Sequence, residues 1–201
     1  MAWIKTIEYE AATGILKKLY DRVKGANNYI DNILKVHSLR PHSLKGHMAI
    51  YKNVLHHRNN TFPKWFLETL GVYVSILNGC EYCYRHHFSG LERLIKDEAK
   101  AKKIWNVLEA QQPELFFSGK ELALLNYAQK LTMQPQNMSE NDFSTLQKEG
   151  LTDGEILEAN QVISYFSYAN RTVLGLGVST EGDILGLSPN DNDLEENWGH
   201  Q

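Results

Sequence analysis

The chain is poor in cysteine and proline, with two cysteines and five prolines among 201 residues. Two cysteines cannot build the disulfide framework of a small secreted scaffold, so a lone pair points to redox or metal chemistry in a reducing compartment. Long apolar runs are missing too: none approaches eighteen residues, and the opening MAWIKTIEYE lacks the apolar centre of a signal peptide. A cytoplasmic protein without a membrane partner is expected. Positive charge is not in excess, because 21 Lys and Arg face 24 Asp and Glu for a net charge of −3. With the basic residues dispersed, nucleic acid is not an expected partner. Convincing period-two alternation is also lacking. What remains is an ordinary globular composition, 42% hydrophobic and 22% charged, in a chain long enough to bury roughly 70% of its unfolded surface.

Apolar residues recur instead at helical spacing, which predicts an all-α, multi-helix bundle. Ala12, Ile15, Leu16, Leu19 and Val23 mark a first helix, with Gly25 at its C-cap. A short apolar turn from Ile33 to Leu39 precedes Pro41, which fits the first turn of a helix carrying Leu44, Met48, Tyr51, Val54 and Leu55. Pro63 opens the next helix. Ile104, Trp105 and Leu108 anchor another near residues 100–109. Three pairs, Ser118 with Glu121, Ser139 with Asp142 and Thr152 with Glu155, have the spacing of capping boxes. The last and most apolar helix carries Ile156, Leu157, Ala159, Val162, Ile163, Phe166 and Ala169. One helical domain over 1–178 is expected, followed by a polar, acidic tail over 179–201, either disordered or packed on a neighbour.

The chemistry concentrates in ETLGVYVSILNGCEYCYRHH, Glu68 to His87. VYVSI within it would pass for a strand in isolation, but Leu67, Leu70, Val74 and Leu77 lie three or four apart and argue helix. Asn78-Gly79 favours positive φ and breaks the chain. If helices on both sides fold back on each other, Glu68, ten residues before the break, meets His87, nine after it. Cys83 and His87 are four apart and share a helix face. A dithiol, Cys80 and Cys83, then has its own relay of carboxylate, imidazole and thiol.

Glu, eleven residues, CxxC, three residues and His resembles the pattern of the alkylhydroperoxidase D and carboxymuconolactone decarboxylase superfamily. NGCxYCxxHH is similar to its peroxidase-related branch, and Ile163 to Val178, ISYFSYANRTVLGLGV, resembles that branch's C-terminal helix. The likeness spans most of residues 10–178. It implies catalytic Cys80, Cys83, His87 and Glu68, with no cofactor and no metal. It also implies a hydroperoxide substrate, an external dithiol or thiol-protein reductant, and a homo-oligomer, trimeric or hexameric. In one respect the chain departs: alkylhydroperoxidase D has a histidine just before the second cysteine, where Tyr82 stands here. That histidine's role does not carry over.

Blander readings compete. A zinc half-site would need histidines 86 and 87, which follow too closely on one helix for easy tetrahedral ligation, and two inert buried cysteines are the other alternative. His37, His42 and His47 recur every five residues, about 140° per step on a helix, so surface or capping roles are expected. His56 and His57 are placed in a loop without a role. Trp65, Trp105, Tyr165, Phe166 and Tyr168 read as core or oligomer contacts, and a structural ion pair explains Arg171 as well as substrate binding does, so it is left out of the site. Rival functions are a general thiol-disulfide oxidoreductase and a non-catalytic, redox-responsive helical scaffold. The superfamily's lactone-acid decarboxylases generally lack this CxxC.

A hydroperoxide is reduced when a thiolate attacks its distal oxygen and an alkoxide leaves. An ordinary thiol is roughly 3% ionised at pH 7. Lowering its pKa to about 7 raises that fraction about fifteenfold, but falling nucleophilicity takes back about fivefold. A positioned acid is worth about 10² to 10⁴, so proton delivery is the larger effect. Cys80 lies near a helix N-terminus, where the dipole favours thiolate, whereas Cys83 aligns with His87. The balance favours attack by Cys83 and resolution by Cys80 through a sulfenic acid and a disulfide.

Overall fold

The computed structural model describes residues 2–189 and 198–200. Among these it is all-α: α1 Gly14–Val23, α2 Asn32–Lys35, α3 Pro41–Leu55, α4 Lys64–Leu77, α5 Glu81–Ile95, α6 Glu98–Glu109, α7 Gly119–Met133, α8 Glu140–Lys148 and α9 Asp153–Leu176. VYVSI lies inside α4, and every residue from Phe66 to Ser75 is buried. A helix apolar on all sides must be enclosed on all sides. α4 is therefore the axis of the bundle, packed against α5, α7 and α9.

α4 and α9 pack tightly at Gly71. A methyl group at Gly71 would fall inside the Phe166 ring, so only glycine lets the two helices pass at this distance. Phe166 in turn meets His87 edge to face, with ring centres 4.5 Å apart. Core packing and the position of the imidazole are thus one problem.

Helix ends mostly follow the local chemistry. Pro41 begins α3 and Pro63 is the N-cap of α4. Ser139 with Asp142 and Thr152 with Glu155 form capping boxes. Ser118 occupies the N-cap of α7, but its side chain caps nothing. α1 ends on Lys24 rather than Gly25, whose φ of −84° any residue adopts. Ile15 is exposed because the buried stripe of α1 runs through Leu16, Leu19, Tyr20 and Val23. Leu157 of α9 is exposed for the same reason.

Three further expectations are corrected. His37 and His47 are buried with ring centres 4.9 Å apart, while His42 alone of that series is exposed. They meet because Pro41 starts a new helix, so the spacing does not run along one axis. His56 caps α3 and is buried edge-on against Tyr51. Arg171 donates to the Ser167 carbonyl one turn back on its own helix, rather than to a carboxylate.

The tail also departs from expectation. Its described residues fold back on the same chain: Trp198 and His200 are buried, and Arg22 stacks 3.8 Å over the Trp198 ring. The His200 Nδ1–H donates to the Val23 carbonyl at 2.8 Å. Asp183 accepts from the Asn32 backbone N–H and the Tyr82 hydroxyl. The expectation of disorder at 190–197 and 201 lies outside the described residues. The tail lacks apolar periodicity because isolated side chains anchor it, not a helix face.

Candidate active site

The α4–α5 turn sets the first cysteine. Asn78 is the C-cap of α4 and Gly79 follows at φ 67°. The Gly79 N–H donates to the Ile76 carbonyl and the Cys80 N–H to the Ser75 carbonyl, at 2.9 and 2.8 Å. That pair of bonds is the Schellman arrangement, and it requires the left-handed residue that glycine supplies. Cys80 is consequently fixed as the N-cap of α5. Cys83, one turn on, brings its sulfur to 2.8 Å from that of Cys80. Both cysteines are free, and a disulfide at about 2 Å is within reach without backbone rearrangement.

The antiparallel return of α5 along α4 brings the other two predicted residues together. His87 Nδ1 lies 2.7 Å from Glu68 Oε2. Since a carboxylate only accepts, Nδ1 carries the proton and Nε2 is left with the lone pair. Glu68 is 2% exposed, a burial that a carboxyl group tolerates only with such a partner. Cys83, Glu68 and His87 all line one small cavity of about 40 Å³, together with Tyr51, Tyr165 and Phe166. Cys80, 0% exposed, lies behind Cys83 and outside the cavity wall.

The two thiols are driven in opposite directions. The adjacent Cys83 thiol lowers the pKa of Cys80 against the opposing push of burial. Burial, reinforced by Cys80, drives that of Cys83 well up. Asn170 of α9 touches the Cys83 sulfur and opposes this rise. Its amide donates to Ser75 Oγ at 3.1 Å and its oxygen accepts from the Asn78 amide at 3.0 Å. The α4–α5 turn and the thiol are thereby tied to α9.

At the position where alkylhydroperoxidase D has histidine, Tyr82 donates to Asp183 Oδ2 at 2.7 Å and accepts from the Ile33 N–H at 3.1 Å. Its hydroxyl is committed to holding the tail. His86 Nε2 lies 3.3 Å from the same Asp183 oxygen. Burial pushes the Asp183 carboxyl up, but its contacts with His86, Tyr82, Tyr29 and Asn32 outweigh this and hold the group below its ordinary value. Asp31, His86 and His200 line the same cavity.

Sequence reading missed Asn170, Asp31, Asp183, His86 and His200 as neighbours of the site. Only His86 sits in the motif. The others arrive from distant segments and carry no spacing signal. Among the described residues no group of three or more His, Cys, Asp or Glu is arranged to hold a metal ion, and no helix is long and apolar enough to cross a membrane.

No family model and no curated protein matches the sequence. Solved structures do. An uncharacterized peroxidase-related protein from Ralstonia eutropha JMP134, described as an alkylhydroperoxidase AhpD core, aligns with a TM-score of 0.73 and 19% identity over 89% of this chain and 91% of its own. An uncharacterized peroxidase-related protein from Silicibacter sp. TM1040 aligns with a TM-score of 0.67 and 22% identity over 76% of this chain and 78% of its own. A cysteine-to-alanine variant of the debrominase Bmp8, in complex with 2,3,4-tribromopyrrole, aligns with a TM-score of 0.62 and 15% identity over 84% of each chain. The chain has the helical fold of the alkylhydroperoxidase D core, in the form carried by peroxidase-related proteins.

Proposed function

We propose that this protein is a thiol-dependent peroxidase that reduces small hydroperoxides through a Cys80–Cys83 dithiol and disulfide cycle. The observation that carries the reading is the convergence of Cys83, Glu68 and His87 on one small cavity, with the second sulfur 2.8 Å behind the first. His87 Nε2, left with the lone pair by the Glu68 contact at Nδ1, takes the Cys83 proton. The Cys83 thiolate attacks the distal peroxide oxygen, the O–O bond breaks, and the departing oxygen is protonated to an alcohol. Cys83 is then a sulfenic acid. Cys80 attacks its sulfur, water leaves with the Cys80 proton, and the disulfide forms. An external dithiol reduces it by exchange.

Cys83 is assigned as the attacking residue because it, and not Cys80, faces the cavity. Its raised pKa is the cost of burial, and a base in the same cavity offsets it. Exchange with large protein disulfides is disfavoured for the resting enzyme, whose two cysteines are 0% and 3% exposed. The test is steady-state turnover of an alkyl hydroperoxide with a dithiol donor. Cys80→Ser and Cys83→Ser should each abolish it, and full activity in either ends the reading. Comparing initial rates with a model disulfide separates the peroxidase from a general oxidoreductase.

A further inference from the structure

The cavity has a second chemical pole. Asp31, in the segment leading into α2, is buried, and its Oδ1 has no hydrogen-bond partner. A buried carboxyl oxygen left unpaired costs folding free energy, and here it lies in a wall of the same cavity that Cys83 and His87 line. One water needs about 10 to 15 Å³ of such space, so 40 Å³ holds about three water-sized groups. A small peroxide bound there shares one space with Asp31 and Cys83.

The other carboxyl groups near the cavity are already engaged. Glu68 is paired with His87, Asp183 is held by Tyr82 and Asn32, and the Tyr82 hydroxyl is committed to Asp183. His87 leaves the first step carrying the Cys83 proton. The oxygen on the far side of the O–O bond still needs a donor, and such a donor is worth about 10² to 10⁴ in rate.

We infer that Asp31 is a further catalytic acid of this cavity: its carboxyl group hydrogen-bonds the peroxide oxygen remote from Cys83 and protonates it as the O–O bond breaks. The inference rests on the peroxidase reading above. Protons balance as follows: the Cys83 proton goes to His87, the distal oxygen keeps its own hydrogen in the sulfenic acid, and the Asp31 proton goes to the departing alkoxide. Return of a proton from His87 to Asp31 resets the pair.

The surroundings suit an acid that is neutral in the resting site. Tyr29 and Lys35 flank Asp31 on its own segment, Tyr82 and His86 face it from α5, Tyr51 from α3, and Asp183 and His200 from the tail. His200 gives its Nδ1 proton to Val23, so its Nε2, 3.8 Å from Asp31 Oδ2, offers a lone pair and no charge. Burial raises the Asp31 pKa to about 7, against the pull of His86.

The test is single-turnover oxidation of the reduced full-length protein by ethyl hydroperoxide, without reductant, counting free thiols with time between pH 5.5 and 8.5. Asp31→Ala should slow thiol loss at least tenfold below pH 7. Asp31→Asn, nearly isosteric and able to fold where Ala fails, should be slowed most below pH 7 and approach the wild-type rate above it. A wild-type rate in Asp31→Ala, or a wild-type to Asn ratio independent of pH, overturns the inference alone. Wild-type thiols inert to the peroxide overturn the peroxidase reading and this inference with it.

Discussion

Phe166 of α9 lies directly on Gly71 of α4 and, on its other side, against the imidazole of His87. Adding a methyl group at Gly71 forces the ring to move, and overpacking of this kind typically costs about 1–3 kcal/mol. Gly71→Ala should lower the thermal midpoint measurably and slow peroxide-driven thiol oxidation by displacing His87. A variant with wild-type midpoint and rate would mean that the helices separate freely here.

Glu68→Gln tests the carboxylate at the back of the imidazole. The amide can present its NH2 group to Nδ1, which favours the tautomer with its proton on Nε2, and that nitrogen then no longer accepts the Cys83 proton. Thiol oxidation should slow at least tenfold, and His87→Ala should do the same. Equal rates across wild type and both variants would remove the relay from the mechanism.

Acid stability should report the buried histidines. Burial lowers the pKa of His47 to about 3 and that of His200 to about 4. The unfolded chain takes up these protons near pH 6.5, while the folded chain resists until far lower pH. Their neutral forms therefore support the fold above about pH 6.5, and that support is lost progressively as pH falls toward 4 and 3. Asp31 works the other way: with a folded pKa of about 7 against an ordinary 3.8, its contribution is complete below pH 3.8 and is lost as pH rises through 7. Urea midpoints should fall below pH 6, and Asp31→Asn should flatten the slope above it. A midpoint independent of pH between 5 and 8 contradicts both assignments.

Asp183 ties the tail to the bundle through Tyr82 and the Asn32 backbone. Removing one partner from a buried, charged network typically costs about 3–5 kcal/mol. Asp183→Ala should lose stability on that scale and make Cys83 accessible to a bulky thiol reagent that leaves the native pair untouched. Unchanged reagent kinetics would show that the tail does not close the cavity.

How much of this was legible beforehand differs by element. The helices and the hairpin followed from local signals: apolar periodicity, Pro41, Pro63, and the Asn78-Gly79 break. Glu68 and His87 could be paired in advance because two helices folding back about a known turn make equidistant residues meet. Asp31, Asn170, Asp183 and His200 could not, because they come to the site from segments far from the Glu68–His87 stretch in sequence, through tertiary packing that leaves no period in the sequence. The buried His37, His47 and His56 were misplaced for a related reason. Imidazoles usually sit in solvent, and these are buried against aromatic neighbours that only the assembled fold supplies.

The most direct measurement is to locate the sulfenic acid. Cys80→Ser and Cys83→Ser proteins, reduced and exposed to ethyl hydroperoxide with a sulfenic-acid trap, are digested and analysed by mass spectrometry. An adduct on Cys83 in the Cys80→Ser protein, and none on Cys80 in the Cys83→Ser protein, is the predicted result. An adduct on Cys80 alone, or no adduct in either protein, would contradict the account.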